Sequence, residues 1–170
     1  MDEQQAPASE PIADREATRY VASQLLLFAL TFGHALLTWP FADAVGLFVG
    51  GAAVAFIAEV LAIRAGLFTH HLRPQLADVP LTILLAWPAV VYVAVRVATL
   101  LVNGPVVTAA TAAVLATLLD LATDPAAVED GAWEFHREEI PGPWFSGVPW
   151  WNFAGWLLIV FVTAMLPYWL

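Results

Sequence analysis

Three carboxylic acids stand inside or at the edge of apolar segments, where ionisable side chains are rare and usually face a polar cavity. Glu59 lies five residues before the end of one such segment, and Asp120 and Asp124 are four residues apart near the end of another. A spacing of four puts the two aspartates on one face of a helix. A carboxylic acid that is partly removed from water favours its protonated form, so a site of this kind can donate a proton to an unactivated alkene.

Other polar residues fall at the same end of the predicted helices and can join these acids in one pocket. They are His70, His71, Arg73, His136 and Asn152. The alternative is structural, because Glu59 and Asp120 could simply form hydrogen bonds with neighbouring helices or with Arg73. A metal site is not predicted, since adjacent histidines rarely both reach one ion and no HxxxH or HExxH pair accompanies them.

The composition shows which kind of protein must position these residues. Of the 170 residues, 61 % are hydrophobic and only 12 % are charged, whereas about 25 % are charged in a typical soluble domain. This balance excludes a soluble globular domain and predicts one compact membrane domain. The absence of cysteine excludes disulfides, thiolate catalysis and cysteine-ligated metals.

The charged residues are strongly unbalanced. All six basic residues are arginine, and fifteen acids give a formal net charge of -9. A nucleic-acid partner is not expected, because it would need a basic surface. The acidic, lysine-free composition favours a halophilic source, and biased codon use in a GC-rich genome is the alternative.

The apolar runs predict an all-α polytopic membrane bundle of about five transmembrane helices, each long enough to cross the hydrocarbon core. A disordered acidic tail is expected at residues 1–19, and an interfacial loop rich in proline and tryptophan at 123–151. The transmembrane domain covers residues 20–170, and the predicted spans are 20–39, 41–64, 79–102, 106–122 and 152–170. Gly46, Gly50 and Gly51 are small residues that allow helices to pack closely in lipid.

Orientation follows from the arginines outside the spans. Arg15, Arg19, Arg64, Arg73 and Arg137 all fall on one side when five helices are threaded through the bilayer. Loops that stay in the cytoplasm carry the excess of basic residues. We therefore predict a multi-pass protein of the cell membrane with a cytoplasmic N-terminus.

One extended motif provides a family resemblance. It begins with Asp120-Leu-Ala-Thr-Asp124-Pro125, continues through Trp133, and ends with Gly147-Val-Pro149-Trp-Trp-Asn152-Phe-Ala-Gly155-Trp156. This pattern resembles the membrane-embedded carotenoid biosynthesis proteins, a family that includes carotenoid hydratases of the bisanhydrobacterioruberin hydratase type. The likeness extends upstream to Glu59, Gly66 and Val79-Pro80-Leu81 and covers roughly residues 55 to 160. The chain resembles a short haloarchaeal-type member, because known hydratases of the family are longer and differ between residues 66 and 75.

The resemblance implies an enzyme that adds water across the terminal double bond of an acyclic C40 or C50 carotenoid, without a dissociable cofactor. Glu59 or Asp120 would be the acid, and Asp124 would be the base that orients water. Asn152 would hold the water, and His70, His71 and Arg73 would contribute to substrate binding. The aromatic faces of Trp133, Trp150 and Trp156 would stabilise a carbocation, although anchoring at the membrane boundary is the alternative role of these tryptophans.

Three function classes remain open on the sequence alone. The first is the hydratase, which is a carbon-oxygen lyase that acts on a hydrophobic polyene within membrane lipid. The second is a non-catalytic subunit that assembles with other carotenoid biosynthesis enzymes. The third is a small membrane carrier, for which inverted repeats and broken helices near the midplane would be expected. No convincing repeat is visible in the sequence.

Overall fold

The computed structural model describes residues 14–169, and its architecture is a bundle of five helices that are long and apolar enough to cross a membrane. This confirms the predicted all-α polytopic bundle. The helices are α1 (Asp14–Thr38), α2 (Phe41–Arg64), α3 (Leu81–Leu101), α4 (Pro105–Glu129) and α5 (Trp150–Trp169). A short π-helical segment, Gly46–Gly50, lies within α2.

Helix boundaries differ from the sequence expectation at two places. The fourth helix was expected to end at residue 122 but continues to Glu129, because Pro125 removes one backbone donor without stopping the helix. Asp124 is therefore part of the same helix as Asp120. The first helix begins at Asp14, so residues 14–19 are helical rather than disordered. The rest of the predicted tail, residues 1–13, lies outside the described residues.

Both long connections lie at one end of the bundle, which we call the connection end. They contain six short strands: β1 (Phe68–His70), β2 (Gln75–Leu76), β3 (Val79–Pro80), β4 (Trp133–Phe135), β5 (Trp144–Phe145) and β6 (Val148–Pro149). β2 pairs with β3 and β5 with β6 in tight hairpins, while β1 pairs antiparallel with β4 across the two connections. The connections thus form one small folded cap on the bundle.

The chain from α2 to α5 consists of two structural repeats, which we call the first repeat (α2, β1–β3, α3) and the second repeat (α4, β4–β6, α5). Residues 41–72 align without a gap with 106–137, and residues 74–100 align with 143–169. Both repeats run in the same direction through the bundle. They are therefore parallel repeats, unlike the inverted repeats considered for a carrier.

Equivalent residues of the two repeats occupy equivalent environments. Each of the helices α2 and α4 is followed, two residues after its last residue, by a glycine with positive φ. These are Gly66 at 74° and Gly131 at 72°, a backbone conformation that glycine adopts without strain. The hydrogen bond from Leu81 N to Pro74 O (2.9 Å) recurs from Trp150 N to Pro143 O (3.1 Å).

The two repeats also meet at equivalent residues. In the β1–β4 pair, Thr69 lies opposite Glu134, its own counterpart. The rings of Trp87 and Trp156, also counterparts, stack with centroids 4.4 Å apart and an interplanar angle of 29°. A pseudo-twofold axis therefore passes between the repeats, roughly along the bundle. Identical counterparts such as Trp87 and Trp156 are too widely scattered to reveal the repeat in the sequence.

The core is organised around α3, which packs against the other four helices. One buried cluster contains small and aromatic residues from all five helices. A second cluster lies beneath the cap around Leu72 and Trp133. The predicted role of the glycines is seen where α2 meets α5. A β-carbon at Gly50 would stand 2.8 Å from Leu166 Cδ1, and one at Gly51 would stand 2.8 Å from Thr163 Cγ2.

Candidate active site

A cavity of about 430 Å³ lies beneath the cap at the connection end. Its walls are formed by α1, α3 and α4, its roof by β1 and β4, and its remaining sides by the end of α2 and the start of α5. Most of the lining is aliphatic or aromatic. The polar side chains that line it include Glu59, His70, Asp120, Asp124 and Asn152.

The aspartate pair is presented by one face of α4. Asp120 and Asp124 are one helical turn apart, and the two residues are only 4 % and 7 % exposed. Asn152, in the first turn of α5, donates from Nδ2 to Asp124 Oδ2 at 2.8 Å and to Asp120 Oδ2 at 3.4 Å. The two carboxyl groups are thus held close together by one amide nitrogen. Two neighbouring carboxyl groups can share a single proton, so the pair is suited to hold a proton that can be transferred.

A second polar pair faces the same space from the first repeat. Glu59 Oε2 lies 2.7 Å from His70 Nε2, and both side chains are largely buried. The other ring nitrogen, His70 Nδ1, is buried and has no hydrogen-bond partner within residues 14–169. Glu59, His70 and Asp124 all line this one cavity. The ring can therefore donate to Glu59 through Nε2 and accept a proton or a hydrogen bond at Nδ1.

Aromatic rings line the rest of the cavity. The stacked pair Trp87 and Trp156 forms part of the wall, and Trp133 packs edge-on against Tyr20, with centroids 6.2 Å apart, and against His70 at 5.7 Å. Aromatic faces attract a cation by electrostatics, and they do not react with it as water does. This wall can therefore stabilise positive charge on a carbon atom.

The structure brings together most, but not all, of the residues singled out in the sequence. Glu59, His70, Asp120, Asp124, Trp133, Asn152 and Trp156 line the cavity. His71, Arg73, His136 and Trp150 do not, and each has another environment. His71 Nε2 lies 3.7 Å from Glu134 Oε1. Arg73 is exposed and hydrogen-bonds to the side chain of Gln75.

Local geometry explains why some of the predicted histidines and tryptophans line the cavity and others do not. Neighbouring residues of an extended segment point to opposite sides, so His70 faces the cavity and His71, just after β1, does not. His136 Nε2 is hydrogen-bonded to Thr69 Oγ1 (2.9 Å), and His136 Nδ1 donates to Gly66 O (2.7 Å). These two hydrogen bonds link the two connections. Trp150 is 46 % exposed at the start of α5, as expected for an interfacial anchor.

Several lining residues were not predicted from the sequence. Tyr20, Gln24 and Leu27 contribute a stripe from α1, and Trp87 contributes from α3. The available signal was the spacing of Tyr20, Gln24 and Leu27, which places them on one helix face with a glutamine inside an apolar run. Within residues 14–169, no group of three or more histidine or acidic side chains is arranged to hold a metal ion.

Fold and site together define a polytopic helical membrane protein with buried acids around an apolar, aromatic-walled cavity. Comparison with known proteins places this chain in a family: residues 20–170 match the family described as carotenoid biosynthesis protein, and the chain belongs to that family. It is also similar to bisanhydrobacterioruberin hydratase from Haloarcula japonica, with 47 % identity over 49 residues. That match covers 29 % of this chain and 15 % of the hydratase. No solved structure matches the chain.

Proposed function

We propose that this carotenoid biosynthesis protein is a cofactor-independent hydratase that adds water to the terminal double bond of an acyclic C40 or C50 carotenoid. The observation that carries the proposal is the convergence of the Asp120–Asp124–Asn152 cluster and the Glu59–His70 pair on one apolar cavity. The partial similarity to a hydratase supports the same reaction. A hydrophobic polyene in membrane lipid fits the five apolar helices.

The first chemical step is protonation of the alkene by the aspartate pair. The π electrons of the terminal trisubstituted double bond form a new C–H bond with a proton of the Asp120–Asp124 pair, whose O–H bond breaks and leaves its electrons on the carboxylate. The double bond is lost, and positive charge develops on the more substituted carbon as a tertiary cation. Trp87, Trp133 and Trp156 line the same cavity, and their aromatic faces can stabilise the charge.

The second step is capture of the cation by water. A lone pair of the water oxygen forms the C–O bond, and the water then loses one proton to a base in the cavity. The Glu59–His70 pair is suited to accept it, because Glu59 lines the cavity and is held by His70 Nε2, and the Asn152 amide can orient the water. Return of the proton to the aspartate pair completes the cycle, so the net change is the addition of one water molecule.

The proposal also includes the topology and setting of the protein. The positions of the arginines support an orientation in which the N-terminus and the connection end lie on the cytoplasmic side of the cell membrane. The acidic, lysine-free composition suits a halophilic source. Assembly with other carotenoid biosynthesis enzymes would bring the insoluble product directly to the next step.

Pigment analysis tests the function. The full chain would be expressed in a host that makes an acyclic carotenoid with unmodified ends, and pigments would be analysed by chromatography and mass spectrometry. A hydratase converts the precursor into hydroxylated products that are heavier by one water per modified end. If the chain produces no hydroxylated pigment alone but restores it together with a separate enzyme, it is a non-catalytic subunit and the proposal is wrong.

A further inference from the structure

A second, narrower depression extends from the acid cavity along the interface of α3 and α4. It has a volume of about 140 Å³, and all its lining residues are aliphatic, from Val90 to Val97 on α3 and from Leu115 to Leu119 on α4. Val90, Ala116 and Leu119 line both this groove and the acid cavity. The two spaces therefore adjoin each other, and the groove extends from the acid cavity toward the other end of the bundle.

The groove lies where the two repeats differ in packing. The equivalent interface in the other half of the molecule, between α2 and α5, is closed by Gly50 and Gly51 against Leu166 and Thr163. The counterparts of those two glycines on α4 are Leu115 and Ala116, and both line the groove. A leucine and an alanine at these positions do not allow the close approach of helix backbones that two glycines allow.

The same cavity is open to the side of the bundle. Gln24 and Leu27 line it from α1, while Leu119 and Thr123 line it from α4 and are exposed. Among the described residues, α1 and α4 make no extensive contact with each other, although both pack closely against α3 or its neighbours. In a membrane-spanning bundle this gap faces the hydrocarbon chains of the lipid.

We propose that a linear acyclic polyene enters from the bilayer between α1 and α4 and lies along the α3–α4 groove, with its terminal double bond at the aspartate pair. This inference rests on the proposed function, and it adds the binding site of the chain that follows the reacting end. From Val90 to Val97, seven residues of α3 extend about 10 Å. The groove thus holds a stretch of the polyene several double bonds long, while the far end remains in lipid.

Binding rather than turnover tests the groove. The purified full chain in lipid nanodiscs would be titrated with an acyclic all-trans polyene, which quenches the fluorescence of nearby tryptophans. Val97, at the far end of the groove, is 41 % exposed, and Val114 on the lipid face of α4 is 50 % exposed but lines neither space. Val97→Phe should weaken polyene binding about tenfold or more by filling the groove, and Val114→Phe should leave the wild-type affinity.

Val93→Phe provides a second test within the groove in case Val97→Phe does not fold, since Val93 is also partly exposed. Weaker polyene binding by either groove variant supports the inference, whether or not hydration is observed. Polyene affinity that is unchanged in both folded groove variants, or equally reduced by Val114→Phe, would overturn it. Because the readout does not need turnover, a wild-type protein that binds the polyene without hydrating it would contradict the proposed function and leave the groove in place.

Discussion

The two repeats have the same order of helices and strands but different polar residues. Glu59 in the first repeat corresponds to Asp124 in the second, and both line the cavity. Asp120 and Asn152, in contrast, correspond to Ala55 and Ile83. The second repeat therefore supplies the aspartate pair and its amide, while the first supplies a single glutamate.

The first repeat has its own specialised residue in exchange. His70 bonds to Glu59, whereas its counterpart in the second repeat is Phe135, which also lines the cavity. The tryptophans Trp87 and Trp156 are the same in both halves. The comparison teaches that the repeated fold provides one shared aromatic cavity, and that in the proposed mechanism single-residue differences between the halves separate the acid from the base. Each prediction below changes one of these differences.

Asp120→Asn should have the largest effect. The substitution keeps the volume of the side chain and much of its hydrogen bonding, but the pair can no longer deliver a proton. We expect hydration to fall by about 10²–10⁴-fold, with the unhydrated acyclic precursor accumulating at an unchanged level of membrane protein. Quantification of pigments against an immunoblot of the membrane fraction measures it. Wild-type amounts of hydroxylated product would contradict the catalytic role of the pair.

Glu59→Gln should come next, because it removes the negative charge beside His70 while keeping an oxygen that can accept the Nε2 hydrogen bond. Loss of that charge weakens the base, and we expect hydration to fall by about 10²-fold. The matched control is Glu134→Gln, an acid of the cap outside the cavity. Equal activity of the Glu59 variant and the control would show that the first repeat supplies no base.

Asn152→Ile exchanges the amide for the residue found at the equivalent position, Ile83. It removes both hydrogen bonds to the aspartates, and a hydrogen bond to a charged group contributes about 1.5–3 kcal/mol, so activity should fall by roughly tenfold to a hundredfold. Ile83→Val is the control, since the first repeat has no amide there. Kinetics in nanodiscs would decide, and comparable rates for the two variants would mean that Asn152 does not organise the pair.

The smallest expected effect is on stability and concerns the equivalent histidines of the cap. His136 makes hydrogen bonds of 2.9 Å and 2.7 Å, whereas His71 makes one long ion pair of 3.7 Å with a partly exposed acid. His136→Ala should destabilise the protein by about 1–3 kcal/mol, and His71→Ala by less than about 1 kcal/mol. Thermal unfolding in detergent compares them, and equal midpoints would contradict the difference between the two halves.

Much of the fold was predictable because long apolar runs specify spanning helices directly. The second span, 41–64, coincides with α2 in the structure. The extension of α4 beyond residue 122 was not predicted, because a proline and several acidic residues are typical of a loop. Pro125 nevertheless lies inside the helix. The strands of the cap are only two or three residues long, so they leave no periodic signal in the sequence.

The acids of the candidate site were predictable because charges inside apolar helices are rare. Depth alone could not distinguish Trp156, which lines the cavity, from Trp150, which is exposed six residues earlier. Tyr20 was missed because the contribution of α1 depends on how that helix packs against α3, a long-range contact. The lateral opening depends on the spacing between α1 and α4 and has no local sequence signal.

The source of the two atoms added to the alkene tests the central claim most directly. Wild-type protein would be supplied with an acyclic carotenoid in deuterium oxide, and separately in water labelled with oxygen-18. The proposed mechanism predicts one non-exchangeable deuterium on the carbon beside each new carbinol and an oxygen-18 atom in each new hydroxyl group. A hydroxyl oxygen derived from molecular oxygen, with no deuterium on the neighbouring carbon, would contradict acid-catalysed hydration at the aspartate pair.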